Sequence, residues 1–279
     1  MIPHVLPLFP KHVQYVEPFC GGAAVFWAKE PSKNEVLNDM NGDLTNFYMQ
    51  LKTNFHELQK LIHGTLHSEI LHKQTSDIYD DKNADPLLRA WALWVQCNLS
   101  FSFIIQGGYA FGTTGMGLGT KNKRDRFTEA FATRIESVEI FNRDAVDLIK
   151  LKDHEDTFFY IDPPYVSSNC GHYEGYKTEN FVELLEVLKN IKGKFLMSSY
   201  PEDALMKYRE ELGWGFQDIQ QTVMVSGKRE GTKMKTECLT YNYPIPNQQI
   251  SLFDSLGMVG EPEAIPEEPQ VVFNDLVVK

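Results

Sequence analysis

No stretch of the sequence approaches the roughly 18 uncharged apolar residues that a membrane-spanning helix requires, so a transmembrane reading is excluded. The opening residues, Met1-Ile2-Pro3-His4-Val5-Leu6-Pro7, lack a charged segment followed by an unbroken apolar block. No secretory leader is expected, and the cytoplasm is the expected location. Cysteine is sparse. Cys20, Cys97, Cys170 and Cys238 are widely spaced with no C-x-x-C pair, which argues against a disulfide framework or a cysteine-based zinc site. Positive charge is also short: 27 Lys and Arg face 38 Asp and Glu, a net −11 that taken alone disfavours a polyanionic partner. Nearly half of that excess lies in the last 26 residues, where Asp254, Glu261, Glu263, Glu267, Glu268 and Asp275 are offset by Lys279 alone. Elsewhere Lys and Arg cluster at Lys121, Lys123, Arg124 and Arg126 and again at Lys228, Arg229, Lys233 and Lys235, where patches would meet phosphates or simply be solvated loops.

What remains is ordinary globular material. A chain of 279 residues with 42% hydrophobic and 12% aromatic content suffices for one large domain or two modest ones, and exceeds a minimal binding module. Val13 to Phe19 reads as a strand running into the glycine turn Cys20-Gly21-Gly22-Ala23, and Val25 to Ala28 suits a buried helix face. A second strand, Glu35 to Asn38, ends at Asp39. Leu44, Phe47, Leu51, Phe55, Leu58 and Leu61 then form one helical stripe reaching about Ile62. Helical patterns follow, clearest over Asp85 to Leu99, and Gln106 to Gly119 reads as a long glycine-rich exposed loop. Strands return at Ser137–Phe141, Thr157–Ile161 and Lys194–Ser199, with helical patterns at Ala145–Leu151, Glu179–Ile191 and Pro201–Leu212. That alternation predicts a mostly parallel α/β sheet. Phe216–Val225 and Glu237–Tyr243 predict a closing antiparallel hairpin with a basic tip. The expected organisation is one α/β unit, residues 1–63 with 136–245, a helical insertion over 64–135, and an acidic, flexible tail over 246–279.

Ligands of open α/β sheets bind beyond the carboxyl ends of the strands. Four such ends carry informative residues. The first is Glu17-Pro18-Phe19-Cys20-Gly21-Gly22, a close approach for a ligand or a plain tight turn. Asp39 would accept hydrogen bonds from ribose hydroxyls, or cap a helix. Asp144 precedes a helix and is either its N-cap or a contact for an adenine amino group. At the fourth end the apolar strand Phe158-Phe159-Tyr160-Ile161 runs into Asp162-Pro163-Pro164-Tyr165. An acid, a rigid carbonyl and a ring at one strand end suit a planar, amino-bearing group, and these four residues are the candidate catalytic set.

Val16-Glu-Pro-Phe-Cys-Gly-Gly-Ala-Ala-Val-Phe26, Asn38-Asp-Met-Asn-Gly-Asp-Leu44 and Tyr160-Ile-Asp-Pro-Pro-Tyr165, in this order, resemble the Dam-like, α-group DNA adenine-N6 methyltransferases over about residues 1–243. The resemblance implies a Rossmann-like S-adenosylmethionine-dependent sheet whose helical insertion recognises the target. It places the cofactor against Glu17, Pro18, Phe19, Cys20, Gly21 and Gly22, its ribose at Asp39, its adenine at Asp144, and the reacting end beside Asp162. The target adenine, flipped from duplex DNA, would be held by Asp162, Pro163, Pro164 and Tyr165, with no metal required. The chain departs from the family pattern by opening at Met1-Ile2-Pro3 without a Pro/Gly-Gly-Lys element, so that either this element is lost, giving a weak or inactive enzyme, or another segment substitutes for it, and by carrying Ala23 where many relatives have glycine. An RNA base methyltransferase, or a DNA-binding relative weak or inactive in catalysis, are the alternative readings. The biological setting, whether restriction-modification, phage or replication, stays open.

Lys121, Lys123, Arg124 and Arg126, with Lys228 and Arg229 at the hairpin tip, are the candidate DNA contacts. After the last predicted strand, Gln249-Ile-Ser-Leu252-Phe253 resembles the Gln-x-x-Leu-Phe peptide by which bacterial replication and repair proteins bind the sliding clamp; an ordinary linker is the other reading.

Overall fold

Pro18 offers no amide proton to a neighbouring strand, and it ends the first strand at Glu17, short of the predicted Phe19. In the computed structural model, which describes residues 1–101, 104–112, 115–166, 176–223 and 233–245, that strand is β1 (Gln14–Glu17). It is preceded by helix α1 (Ile2–Val5) and a single 3-10 turn. The glycine turn leads to α2 (Ala24–Ala28) and then β2 (Asn34–Asn38). The predicted long helix is two: α3 (Gly42–Thr53), started by the Asn41 side chain accepting from the Asp43 amide at 2.9 Å, and α4 (Phe55–His63). Asn54 breaks it, leaving the helical region at φ −133° and donating its side-chain amide to Gln50 Oε1 at 2.7 Å.

The insertion holds α5 (Glu69–Asp80), α6 (Pro86–Leu99), α7 (Met116–Arg126) and α8 (Ala130–Ile135). Asp85 caps the backbone of Leu87 and Leu88, and Pro86 fits the first turn because its missing N–H would be unpaired there anyway. The expected loop over 106–119 extends only to Gly115, because α7 starts at Met116. Two glycines weaken such a helix by about 1 kcal/mol each, but tertiary anchors hold it. Thr120 is buried against His67 at 2.8 Å, and Arg124 donates to the Thr65 carbonyl at 2.6 Å.

The chain returns through β3 (Glu139–Phe141), α9 (Ala145–Lys152), β4 (Thr157–Ile161), α10 (Thr178–Leu188), β5 (Lys194–Ser199) and α11 (Asp203–Leu212). The hairpin of β6 (Gly215–Val223) and β7 (Lys233–Tyr241) closes the sheet. The seven strands lie in the order β3-β2-β1-β4-β5-β7-β6, parallel as far as β5, with β7 antiparallel to both its neighbours. β1 is paired with β2 on one side and β4 on the other, so strand order reverses there, and the carboxyl ends of β1 and β4 are where open sheets of this kind bind ligands.

Central strands alternate between two buried layers, as a sheet covered on both faces requires. Tyr15, Leu37, Phe158 and Leu196 face one side; Val16, Val36, Phe159 and Met197 face the other. The second layer is roofed by α9, α10 and α11 through residues such as Leu148, Leu184 and Leu205. The first is continuous with the insertion: Leu93, Trp94, Phe127 and Phe131 belong to the same cluster as Tyr15 and Phe158. Among the described residues no helix is long and apolar enough to cross a membrane. Lys228, Arg229, Gln249, Leu252, Phe253 and the tail over 246–279 lie outside the described residues.

Candidate active site

The glycine turn is fixed from several sides. Gly21 sits at φ +47°, a left-handed conformation that glycine adopts without a Cβ penalty, and its amide donates to Asp39 Oδ2 at 2.9 Å. The Tyr48 hydroxyl donates to the Gly21 carbonyl at 2.7 Å, and the Cys20 amide to the Asn38 carbonyl at 2.8 Å. The other Asp39 oxygen accepts from the Asn41 amide at 2.8 Å, so one buried carboxylate joins the turn to the start of α3. Asn38, fully buried, donates to the Pro18 carbonyl at 2.8 Å and the Arg143 carbonyl at 3.0 Å and accepts from the Arg143 amide at 2.9 Å. It ties the strand-end loops of β1 and β3 together, a role its position at a strand end did not signal.

Asp144 caps α9 through the amides of Val146 and Asp147. Close to it stands Tyr176, whose ring meets Phe19 edge to face at 6.2 Å between centroids. Burial and the nearby Asp144 and Glu183 carboxylates push the Tyr176 hydroxyl well above its ordinary pKa. That hydroxyl is buried with no hydrogen-bond partner among the described residues. A Cβ built on Gly21 would meet nothing within 4 Å, so the turn also faces open space. An orphaned donor and an open glycine backbone, with an acid beside them, fit a ligand carrying a purine and hydroxyls, as S-adenosylmethionine does.

Glu17 is 2% exposed and accepts from the Tyr15 hydroxyl at 2.6 Å. Burial, with a smaller push from the Asp162 charge, raises its carboxyl to about 8 against that hydrogen bond. Asp162 stands across the adjacent strand end. Its side chain reaches solvent at the cleft mouth, yet the surrounding protein strips most of its hydration, and this raises its pKa to about 7. The Tyr165 hydroxyl bond opposes the rise, and the Glu237 charge adds to it.

Pro163 and Pro164 hold the chain beyond β4 rigid, and with Tyr165, Ser199 and Tyr200 they line a cleft beside Asp162. The Tyr165 ring lies 4.3 Å from that of Tyr200. Its hydroxyl is 3.1 Å from Asp162 Oδ1, 2.9 Å from Glu237 Oε1 and 3.5 Å from Ser198 Oγ. Ser198, Glu237, Tyr200 and Tyr176 carry no sequence motif and emerge only from the folded sheet.

The candidate DNA contacts divide. Lys121 pairs with Asp125 on the exposed face of α7. Arg124 turns inward, donating to the carbonyls of His63 at 3.1 Å and Thr65 at 2.6 Å, just past the end of α4. Lys123 and Arg126 lie in the last turn of the same helix.

The model of the D12 class N6 adenine-specific DNA methyltransferases matches residues 1–212. Type II methyltransferase M1.LlaDCHI of Lactococcus lactis subsp. cremoris is 26% identical over 277 residues, covering 87% of this chain and 91% of that protein. Modification methylase LlaI of Lactococcus lactis subsp. lactis is 25% identical over 258 residues, covering 82% of this chain but 40% of the longer relative. The solved precorrin-6y C5,15-methyltransferase of Geobacter metallireducens GS-15 aligns over 85% of this chain and 83% of its own at 10% identity and a TM-score of 0.37.

Proposed function

Since the chain belongs to the D12 class N6 adenine-specific DNA methyltransferases, we propose that its cleft at the carboxyl ends of β1 and β4 is where a target adenine meets the methyl donor. The protein is an S-adenosylmethionine-dependent enzyme that methylates adenine N6 in DNA. The family's DNA substrate favours this reading over an RNA base methyltransferase. Supporting the placement are the cleft lined by Pro163, Pro164 and Tyr165 and the 3.1 Å hydrogen bond from the Tyr165 hydroxyl to the adjoining Asp162.

The chemistry needs those groups. The amino group of adenine is a poor nucleophile, with its lone pair delocalised into the ring, and it is hidden inside the duplex. Flipping the base costs a few kcal/mol, and stacking on the Tyr165 ring offsets part of that. Ionised Asp162 and the Pro163 carbonyl accept the two N–H bonds and turn the lone pair out of the ring plane. Pro164 keeps that carbonyl fixed. S-adenosylmethionine supplies the electrophilic methyl group on a sulfonium centre. Asp162 stabilises the positive charge that grows on nitrogen and is the acceptor in reach for the proton that nitrogen sheds. We assign Phe19, Cys20, Gly21, Gly22, Asp39 and Asp144, with Glu17 and Pro18 behind them, to the donor side of the crevice. Residues 64–135 carry target recognition through Lys121, Lys123 and Arg126, with Lys228 and Arg229 contributing from the sequence between β6 and β7; Arg124, spent on the His63 and Thr65 carbonyls, is withdrawn from the expected DNA contacts. The resemblance to type II and modification methylases supports a restriction-modification setting in the cytoplasm.

The assignment is tested by tritiated methyl transfer to genomic DNA that lacks adenine methylation, with nucleoside analysis. Asp162→Ala lowers transfer by about a thousandfold or more and leaves DNA affinity near that of the parent chain. Label at parental levels in that variant rules the assignment out. Gln249, Leu252 and Phe253 form a tether to the sliding clamp, supported by their pattern alone. Leu252→Ala/Phe253→Ala abolishes retention on immobilised clamp, and undiminished retention would eliminate the tether.

A further inference from the structure

The Tyr165 hydroxyl carries one proton and faces two carboxylates, Asp162 and Glu237. Glu237 comes from β7, 72 residues further along the chain, and takes no part in the mechanism above. It is the nearer acceptor, at 2.9 Å against 3.1 Å for Asp162. It is also the anchored one, because the Ser198 hydroxyl on β5 donates to the same Glu237 oxygen at 2.6 Å. The two contacts have opposite effects on catalysis. A hydroxyl donating to Asp162 occupies one of its lone pairs and stabilises the carboxylate, making it a poorer acceptor for substrate. A hydroxyl donating to Glu237 leaves Asp162 free for the amino group and still pins the far end of the Tyr165 ring, beside Tyr200.

We propose that Glu237 is a positioning residue for methyl transfer: held by Ser198, it draws the Tyr165 hydroxyl proton away from Asp162 and fixes the ring against which the flipped base stacks. The inference rests on the assignment of Asp162 and Tyr165 to the base site. Asp162 is faced by Glu17 from β1, Tyr160 from β4, Tyr165 from the following loop and Glu237 from β7. Glu17 is buried and held near 8, so it is neutral around pH 7. Tyr160 is buried with its hydroxyl held far above its ordinary range and is likewise neutral. Glu237 is therefore the neighbour whose negative charge and hydrogen bonding act on Asp162 as it titrates.

The test compares the full chain with Glu237→Gln, Tyr165→Phe, the double variant and Ser198→Ala in the methyl-transfer assay across pH. Glu237→Gln keeps the side-chain shape and removes the charge. It lowers kcat roughly ten- to a hundredfold, leaves KM for DNA within about twofold, and moves the acid limb of the rate profile down by about one pH unit. The shift is downward because Asp162 loses a like charge and gains the Tyr165 donor. In the Tyr165→Phe background, where there is no hydroxyl to divert, Glu237→Gln changes kcat by less than about twofold. Ser198→Ala moves the limb in the same direction. A parental rate and limb in Glu237→Gln overturns the inference alone. So does a loss of equal size in the Tyr165→Phe background, since that marks a structural role. Unabated transfer by Asp162→Ala overturns the base-site assignment and this inference with it.

Discussion

In the proposed base site Asp162 accepts from the substrate amino group only when ionised, and the protein that strips its hydration sets the pH at which that happens. With its pKa raised to about 7, the carboxyl is largely protonated below that value and an acceptor above it. kcat/KM for DNA therefore climbs with pH through an acid limb centred near 7 and levels off at higher pH. A flat profile between pH 5 and 8 would contradict the loss of hydration inferred for Asp162. Much of this residue chemistry is legible in the sequence, because Asp162-Pro163-Pro164-Tyr165 is contiguous and the Asp39 and Gly21 partners each follow a strand end. Glu237 and Ser198 are not. They meet Tyr165 only through the strand order β4-β5-β7, and no local pattern states which strand a closing hairpin will join. Asn38 is visible as a strand end, but its task of joining the loops at Pro18 and Arg143 is not.

At the scale of elements, helix α7 shows propensity yielding to tertiary contacts. The glycine count over 106–119 points to a loop, yet residues 116–119 are helical because Thr120 and Arg124 lock α7 to His67 and the end of α4. The strands were easier to read. Both faces of the sheet are covered, which demands apolar runs, and β4 and β5 are found where those runs lie. The two roles available to basic residues on α7 separate by measurement. Arg124→Ala removes charged donors from two backbone carbonyls and costs about 1–3 kcal/mol in urea unfolding. Lys121→Ala, whose exposed pairing with Asp125 is worth little, stays within about 0.5 kcal/mol of the parent chain. Equal stabilities for the two variants would refute the anchoring of α7.

For the whole molecule, the insertion and the sheet are joined by an ion-pair network on β2 as well as through the core. Glu35 on β2 is 3% exposed at its side chain and meets both Lys29 and Arg134, the latter on α8. Arg134 also donates to the Phe26 carbonyl at 3.1 Å and lies over the Phe26 ring, while Lys29 lies over the Tyr15 ring. Burial lowers the Lys29 pKa, opposed by its bond to Glu35. Glu35→Ala leaves two cations without their shared counter-charge and costs about 3–5 kcal/mol, read as a large fall in the denaturation midpoint. A loss under about 1 kcal/mol would mean that the network is well hydrated.

Leu93, Trp94, Phe127 and Phe131 share one cluster with Tyr15 and Phe158. If residues 64–135 carry target recognition as proposed, sequence preference is not a detachable cartridge in this protein. A chimera made by grafting residues 64–135 from a relative would also replace one wall of the catalytic scaffold's interior, and it needs matching changes beneath the graft to preserve turnover along with the new target site.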